Sequence, residues 1–380
     1  MPDLPFDAAD PRLAAAAWSR LVEPGDPAAG ALVAHLGPVD ALGWLCSAAR
    51  VGTTARGGRP WEQAVSRWLP RLPGLDVRRE LDTLDRLGGT LVLPGEEHWP
   101  AGLDDLPVPP FVLWVRGDPA ALHGRSAAVV GARAATTYGQ RVAADIGLGL
   151  AEAGVAVVSG GAYGIDAAAH RGALAGEGVT VAVLAGGVDR LYPAGNAALL
   201  ESVLASGAVA AEVPPGCAPS RSRFLARNRL IAAMTGATVV VEAAWRSGAL
   251  STAARAAEVG RPVAAVPGPV TSMASAGCHR LLREGAVCVT DAAEVRELLA
   301  PAGEDLPAEP AVQPGLLDDL DPVAARVLDA LPVRGAAPVA SVARTAGLDP
   351  AQVRAALGHL ELAGRAERHG SSWRRPRVRA

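Results

Sequence analysis

The sequence predicts an α/β fold, in which a doubly wound parallel sheet is preceded by helices and followed by a winged helix. Between about residues 88 and 299, short β-branched runs alternate with glycine-rich loops and Ala/Leu-rich helical segments, a pattern typical of parallel sheets. No strand pattern precedes this region, and a helical pattern follows it. The 380 residues are enough for two or three domains.

Residues 1–82 are predicted to form a small helical domain, because apolar stretches alternate there with Gly/Pro breaks and no β pattern appears. The turn Leu36-Gly37-Pro38 between two helical runs resembles a helix-hairpin-helix element. Such an element can hold a DNA phosphate on backbone N–H groups. A module that serves only packing explains the same pattern, and both interpretations stay open.

Residues 83–300 are predicted to contain the sheet. The strands are expected at residues 127–130, 155–158, 180–184, 208–213, 237–241, 262–266 and 286–290. Because strands alternate with helices throughout this region, we expect the strands to run parallel.

Residues 301–321 are Pro-rich and carry six acidic and no basic side chains, so they are predicted to form a linker. Residues 322–380 are predicted to form a winged-helix domain with helices at 322–331, 339–346 and 350–362, closed by a β-wing. Gly347 suits the turn of a helix-turn-helix, and Asp349-Pro350 suits an N-cap followed by the first helical position.

Composition excludes several classes of function. The chain has 36 Lys+Arg residues, all of them arginine, which excludes a Walker lysine and Schiff-base chemistry. The acidic N-terminus lacks the basic and apolar regions of a secretory signal, and the longest apolar stretch is interrupted by Asp145 and Glu152. We therefore expect a cytoplasmic protein with no membrane association.

The four cysteines form no C-x-x-C pair and are expected to be reduced thiols. Cys278, His279 and Cys288 would supply three ligands to a metal but lack a fourth. We therefore predict no metal and no cofactor.

In an open parallel sheet, ligands bind beyond the carboxyl ends of the strands. Loops rich in glycine, hydroxyl groups, arginine and tyrosine follow six of the predicted strands, at residues 131–139, 159–170, 185–196, 214–229, 242–252 and 267–277. Arginine and loop N–H groups hold phosphates, and aromatic rings interleaved with arginine suit single-stranded nucleic acid. We therefore predict that these six loops meet at the carboxyl edge of the sheet and form one phosphate-binding surface, which we call the rim.

Two parts of the rim also fit simpler interpretations. Tyr192-Pro193 is consistent with an ordinary turn, and Arg227-Asn228-Arg229 with a solvated helix start. Several cations near the positive end of a helix dipole are unfavourable without an anion to neutralise them. That cost favours a binding role for the arginines.

Neither nucleotide-binding fingerprint is present, since Gly160-Gly161-Ala162-Tyr163-Gly164 is not G-x-G-x-x-G and no G-K-[ST] occurs. Asp166 and His170 are four residues apart on the following helix and could form an acid–base pair. A helix-capping Asp with an ordinary His neighbour is the commoner arrangement. Glu242 is a lone carboxylate without a nucleophile beside it.

The motif series "VVGARAATTYG", "SGGAYGIDAAAH", "AGGVDRLYP", "FLARNRLIAAM", "VVVEAAWRSGALSTA" and "HRLLREGA" closely resembles the DNA-processing protein A (DprA/Smf) family over residues 100–299. This resemblance implies an extended Rossmann-like domain that binds single-stranded DNA without catalytic turnover. It further implies a homodimer formed through that domain, which helps to load RecA recombinase during natural transformation. A single-stranded-DNA-binding protein is a further candidate partner.

The resemblance carries over a set of nucleic-acid-binding residues, which are Gly131, Arg133, Ser159, Gly160, Tyr163, Gly164, Arg227, Asn228, Arg229, Ser247 and Gly248. The chain departs from the family pattern in three places. Tyr163 stands where many members have a basic residue, Ala132 replaces the serine of G-S-R, and Gly277-Cys278-His279 replaces G-T-N. A tyrosine at 163 could stack on a base in place of a phosphate contact.

Two other functions fit parts of the sequence. A nucleotide-hydrolysing phosphoribohydrolase-like enzyme has a similar sheet but needs a P-G-G-x-G-T-x-x-E loop, where this chain reads "WRSGALSTAARAAE". A transcription regulator would read duplex DNA with its winged helix. The recognition helix at 351–360 offers few polar side chains for base contacts, namely Gln352, Arg354 and His359.

Overall fold

The structure is a computed structural model that describes residues 4–51, 59–300 and 320–376. The chain divides into two compact units, Met1–Pro307 and Ala308–Ala380. The predicted linker lies almost wholly outside the described residues, except for its last two positions. One of these, Asp321, caps the first helix of the second unit by accepting N–H groups of Val323 and Ala324.

The N-terminal region is helical, as predicted. Its helices are α1 (Pro11–Leu21), α2 (Pro27–Val51), α3 (Arg59–Trp68) and α4 (Arg78–Arg86). Asp10 begins α1 by accepting the N–H groups of Arg12 and Leu13. The turn singled out in the sequence is a kink inside α2, where Gly37 has a φ of 79°.

One helix in the described residues, Pro27–Arg50, is long and apolar enough to cross a membrane by length and composition alone. This segment of α2 is kinked, and its Leu42 and Leu45 are fully buried in the hydrophobic core. Trp44 packs on Trp61 of α3 with ring centroids 5.5 Å apart. These contacts are those of a core helix.

Nine strands of the described residues form one sheet. They are β1 (Gly89–Val92), β2 (Leu113–Gly117), β3 (Ser126–Val130), β4 (Ala156–Ser159), β5 (Thr180–Leu184), β6 (Ala208–Ala211), β7 (Ala237–Val240), β8 (Val263–Ala265) and β9 (Val287–Cys288). Their order is β1-β2-β6-β5-β4-β3-β7-β8-β9. The seven predicted strands, β3 to β9, are all parallel.

Strands β1 and β2 are antiparallel additions at one edge of the sheet, and the sequence analysis missed them. They do not alternate with helices, so the pattern that indicates parallel strands does not apply to them. The sheet is therefore mostly rather than wholly parallel.

The sheet helices are α5 (Thr137–Glu152), α6 (Ile165–Ala175), α7 (Ala197–Ser206), α8 (Arg221–Met234), α9 (Ala249–Glu258), α10 (Ala276–Arg283) and α11 (Ala292–Leu299). From β3 the chain winds outward through β4, β5 and β6, and then returns beside β3 as β7. The switch point of this doubly wound sheet thus lies between β3 and β7, where ligands of such folds bind.

The N-terminal helices and the sheet share one hydrophobic core. Trp18 and Trp68 belong to the same buried cluster as Trp114 of β2 and Leu184 of β5. The indole N–H of Trp114 donates to the Ser19 hydroxyl over 3.1 Å. The packing does not set residues 1–82 apart, so an independent helical domain stays a prediction.

The second unit is the predicted winged helix. It contains α12 (Pro322–Ala330), β10 (Ala337–Pro338), α13 (Val339–Ala346), α14 (Pro350–Leu362), β11 (Glu367–His369) and β12 (Ser372–Arg374), with sheet order β10-β12-β11. Gly347 ends α13 in the left-handed conformation, with φ 62°. Asp349 caps α14 and accepts the Ala351 N–H over 2.7 Å, as the sequence predicts.

Candidate nucleic-acid interface

A cleft of about 660 Å³ opens at the carboxyl ends of the parallel strands, across the switch point. Its walls come from the loops after β3, β4, β5, β6 and β7, the first half of α8 and the start of α9. Six of the eleven predicted site residues line it, namely Gly131, Arg133, Arg227, Asn228, Ser247 and Gly248. The loop after β8, which was also expected at this rim, does not contribute to the lining.

Three exposed arginines line the cleft without a carboxylate partner within the described ranges: Arg133, Arg221 and Arg246. The guanidinium of Arg133 lies over the Phe224 ring, 4.8 Å from its centroid. Three cations without a neutralising partner on one concave surface produce a positive potential that attracts an anionic ligand.

Arg227 is a fourth cation, but it is 94 % buried, with 6 % of its surface exposed. Its Nη1 donates to the carbonyl of Gly160 over 2.9 Å and also to the carbonyl of Val183. Burial lowers the pKa of Arg227 to about 10, although the nearby Asp166 acts in the opposite direction. Arg227 therefore remains protonated at neutral pH and holds the loop after β4 against α8.

Asp166 organises the same loop from the other side. Its Oδ2 accepts the N–H of Gly160 over 3.2 Å and that of Ala162 over 3.3 Å. Burial raises the pKa of Asp166, and the charge of Arg227 together with these N–H groups opposes the rise. Asp166 thus has a structural role in shaping the loop.

His170 is fully buried, with its Nδ1 2.8 Å from the Thr180 hydroxyl. Burial lowers the pKa of His170 to about 3, so the imidazole is neutral at physiological pH. The Thr180 hydroxyl donates to the Val157 carbonyl, so it accepts from the imidazole and the proton lies on Nδ1. His170 is enclosed beneath the loop, which favours the view that it is an ordinary neighbour of Asp166.

Three of the predicted glycines permit close packing of the loops. A Cβ on Gly160 would lie 2.2 Å from Nη1 of Arg227, and one on Gly131 would lie 2.5 Å from Cγ1 of Ile165. Gly164 has a φ of +78°, and its Cβ would lie 2.2 Å from the Ala132 carbonyl oxygen. These positions need glycine for packing, whether or not they contact a ligand.

Three other predicted site residues do not line the cleft. Ser159 is fully buried and donates its hydroxyl proton to the Val129 carbonyl over 2.7 Å. Tyr163 is exposed, but its hydroxyl lies beside Gly195 outside the lining. Arg229 is likewise absent from the lining.

Arg229 points away from the cleft. Its Nη2 pairs with Oε1 of Glu212 over 2.5 Å and its Nη1 donates to the Val108 carbonyl over 2.8 Å. Two residues along an α-helix correspond to a rotation of about 200°, so Arg227 and Arg229 of α8 lie on opposite faces. Arg227 and Asn228 of this cluster thus line the cleft, whereas Arg229 does not, and phosphate binding by the first two stays a prediction.

The sequence analysis placed all three tyrosines in the loops of the rim, and one of them lines the cleft. Tyr192 is exposed there, 6.0 Å from Phe224 between ring centroids. Tyr138 is also exposed, but its hydroxyl donates to the Pro267 carbonyl over 2.7 Å. One aromatic wall thus stands beside the arginines.

Phe224 and Arg246 line the cleft but were not singled out in the sequence, and Arg221, an arginine of the predicted rim, was not among the selected site residues. Arg221 and Phe224 lie three residues apart, and Asn228 follows at the next helical repeat, so helical periodicity could have placed them on one face. Arg246 directly precedes Ser247 in the motif of the turn after β7. Its position next to Ser247 could have indicated that Arg246 belongs to the site.

The considered metal ligands do not converge. The Cys278 thiol is buried and donates to the Val240 carbonyl over 3.5 Å, whereas Cys288 is exposed on β9. His279 has its Nε2 2.9 Å from the Gly268 carbonyl. Within residues 4–51, 59–300 and 320–376, no group of three or more His, Cys, Asp or Glu side chains could hold a metal ion.

Two family models and several known proteins match this chain. A family model described as DNA recombination-mediator protein A matches residues 90–300, and one for the DprA winged helix domain matches residues 309–371. A DNA processing protein DprA of Mycobacterium tuberculosis is 49 % identical over 378 residues, which cover 95 % of this chain and 94 % of the relative. Protein Smf of Escherichia coli is 38 % identical over 295 residues, covering 77 % and 79 %.

Two solved structures are similar in fold. DNA processing protein A from Streptococcus pneumoniae has a TM-score of 0.58 and 32 % identity, covering 68 % of this chain and 87 % of its own. The protein of the same name from Helicobacter pylori, described for its single-stranded DNA binding mode, has a TM-score of 0.50 and 28 % identity. It covers 55 % of this chain and 93 % of its own.

Proposed function

Since this chain belongs to the DNA-processing protein A (DprA/Smf) family, we propose that it binds single-stranded DNA in the cleft as a recombination mediator. The observation that carries the proposal is the set of three exposed arginines, Arg133, Arg221 and Arg246, with no carboxylate partner in the described residues. Free cations on a concave surface suit the phosphates of a nucleic-acid backbone.

The aromatic wall favours a single strand over a duplex. Tyr192 and Phe224 offer ring surfaces beside the cations, and unpaired bases can stack on such rings. Bases in a duplex are already stacked on one another and are not available in this way.

We further propose that the protein forms a homodimer through its Rossmann-like domain and helps to load RecA recombinase during natural transformation in the cytoplasm. Displacement of a single-stranded-DNA-binding protein would be part of this activity. The support is membership of the family. Adding the protein to RecA and oligonucleotide coated with single-stranded-DNA-binding protein should shorten the lag of RecA filament formation, and an unchanged lag would exclude the loading role.

We propose that DNA is held without catalytic turnover. Asp166 is a carboxylate in the lining of the cleft, but it already accepts hydrogen bonds from two backbone N–H groups. His170, the other candidate for acid–base catalysis, is fully buried. Incubation with oligonucleotides and with nucleoside monophosphates should release neither shorter fragments nor free base. Either product would contradict the proposal.

The test of the cleft is a titration of labelled oligothymidylate at several salt concentrations. Three neutralised phosphates predict a log–log salt slope of about −2, because each contributes about 0.7 on a single strand. The variant Arg133→Ala should lower affinity about 10- to 140-fold, the range for loss of a hydrogen bond to a charged group, and flatten the slope by about 0.7.

The matched control is Arg255→Ala, because Arg255 is an exposed arginine on α9 that pairs with Glu258 and does not line the cleft. This variant should bind like the wild type. Equal losses in Arg133→Ala and Arg255→Ala would mean that binding follows net charge rather than the cleft.

A further inference from the structure

Trp245 has the most exposed aromatic side chain in the described ranges, with 52 % of its surface accessible. It lies on the turn between β7 and α9, directly before Arg246, which lines the cleft. Consecutive Cα atoms are 3.8 Å apart, so the indole begins one residue beyond the wall of the cleft. Its own ring is not part of the lining.

Arg280 of α10 lies over this ring, with its guanidinium carbon 5.4 Å from the ring centroid. About half of the surface of Trp245 stays exposed despite this contact, so the arginine leaves part of the residue open to a ligand. The partner carboxylate of Arg280 is Glu284, at 3.5 Å and well exposed. An arginine and an open aromatic face are therefore held together on the protein surface.

The strand order places this pair at one end of the cleft. Tyr192 follows β5, Arg133 follows β3, Trp245 follows β7 and Arg280 belongs to the helix after β8. These strands succeed one another in the order β5-β4-β3-β7-β8. Neighbouring strands are about 4.8 Å apart, so from β5 to β8 the path along the rim is roughly 19 Å.

We propose that Trp245 and Arg280 form a stacking site for a nucleobase of the single strand where the strand leaves the cleft beside Arg246. This inference rests on the proposed function. The indole supplies the ring face and Arg280 holds it in place, while Arg246 takes the adjoining phosphate. Because every base has a π-face, the site is indifferent to sequence.

The test compares Trp245→Ala, Trp245→Phe and the wild type in binding oligothymidylate and a matched oligonucleotide of abasic deoxyribose phosphate. Trp245→Ala should weaken binding of oligothymidylate about 5- to 140-fold, which corresponds to ~1–3 kcal/mol for one stacked base. Trp245→Phe keeps a ring and should retain most of the affinity. For the abasic strand the three proteins should bind equally.

The outcomes separate this inference from the proposed function. If the wild type binds oligothymidylate and Arg133→Ala binds weakly, while Trp245→Ala binds like the wild type, the stacking site alone is refuted. An equal loss on the abasic strand also refutes it, because it assigns Trp245 a packing role. If the wild type binds no oligonucleotide, the proposed function itself fails. Unchanged thermal unfolding of Trp245→Ala confirms that the comparison concerns binding.

Discussion

Replacing Arg229 by alanine should destabilise the protein strongly, although the sequence places this residue in a DNA-binding motif. In the structure the Arg229 guanidinium pairs with Glu212 at 2.5 Å, and 11 % and 9 % of the two side chains are exposed. It also donates to the Val108 carbonyl. The change to alanine therefore removes one member of a buried ion pair and leaves the other in place.

The expected loss is about 3–5 kcal/mol, the range for breaking a buried pair so that one charge stays uncompensated. The cause is the desolvation of Glu212, whose pKa burial raises while Arg229 holds it down. Without Arg229 the pKa of Glu212 in the folded state rises further above its value in the unfolded state. The stability contribution of this carboxyl is then present at low pH and lost as pH rises, so the deficit relative to wild type should be larger at pH 7 than at pH 5.

The assay is denaturant unfolding of the larger unit at both pH values, together with oligonucleotide binding under native conditions. Arg133→Ala is the reference, because Arg133 is exposed and has no carboxylate partner in the described residues; the stability of this variant should differ from wild type by no more than about 0.5 kcal/mol. The double variant Arg229→Met with Glu212→Leu should regain much of the loss, since an apolar pair removes the stranded charge. Wild-type stability in Arg229→Ala with weakened DNA binding would refute this assignment.

Two further predictions concern the elements beneath the cleft. His170 has a folded-state pKa of about 3 against about 6.5 when unfolded, so the unfolded state takes up a proton first as pH falls. Its contribution to stability should fall by about 3 kcal/mol between pH 7 and pH 4, measured as the difference in pH dependence between wild type and His170→Gln; parallel curves would contradict this. Gly164→Ala should lower the free energy of unfolding by about 1–3 kcal/mol because of the positive φ, and by a further amount because the new Cβ would clash with the Ala132 carbonyl. It should also weaken oligonucleotide binding. The control is Gly154→Ala, because Gly154 has a φ of +70° and no atom lies within 4 Å of its Cβ, so this variant should show the cost of backbone strain alone. Equal losses of stability in the two variants would mean that the clash at Gly164 contributes nothing.

Much of the fold could be predicted because its signals are local. β-Branched runs followed by glycine loops indicated the seven parallel strands, and Gly347 with Asp349-Pro350 indicated the helix-turn-helix. The antiparallel strands β1 and β2 could not be predicted in this way, because their pairing joins segments without a repeating strand–helix pattern.

Part of the candidate site could be predicted for the same reason. The carboxyl ends of parallel strands meet at one edge, so the loops that contain Arg133, Ser247 and Gly248 had to lie close together. The direction and depth of each side chain were not determined by that rule. Ser159 proved to be enclosed, and Tyr163 lies outside the lining.

The sequence by itself determined the order of the parallel strands and the helices between them, the glycine-rich loops and the supply of arginines without lysine. The tertiary structure decided where each arginine points and how deeply it is buried. Arg227 and Arg229 are two residues apart on α8, yet one faces the cleft and the other forms a pair with Glu212. The physical reason is that helical rotation separates their directions, while the burial and the partner of each charge depend on chain segments distant in sequence.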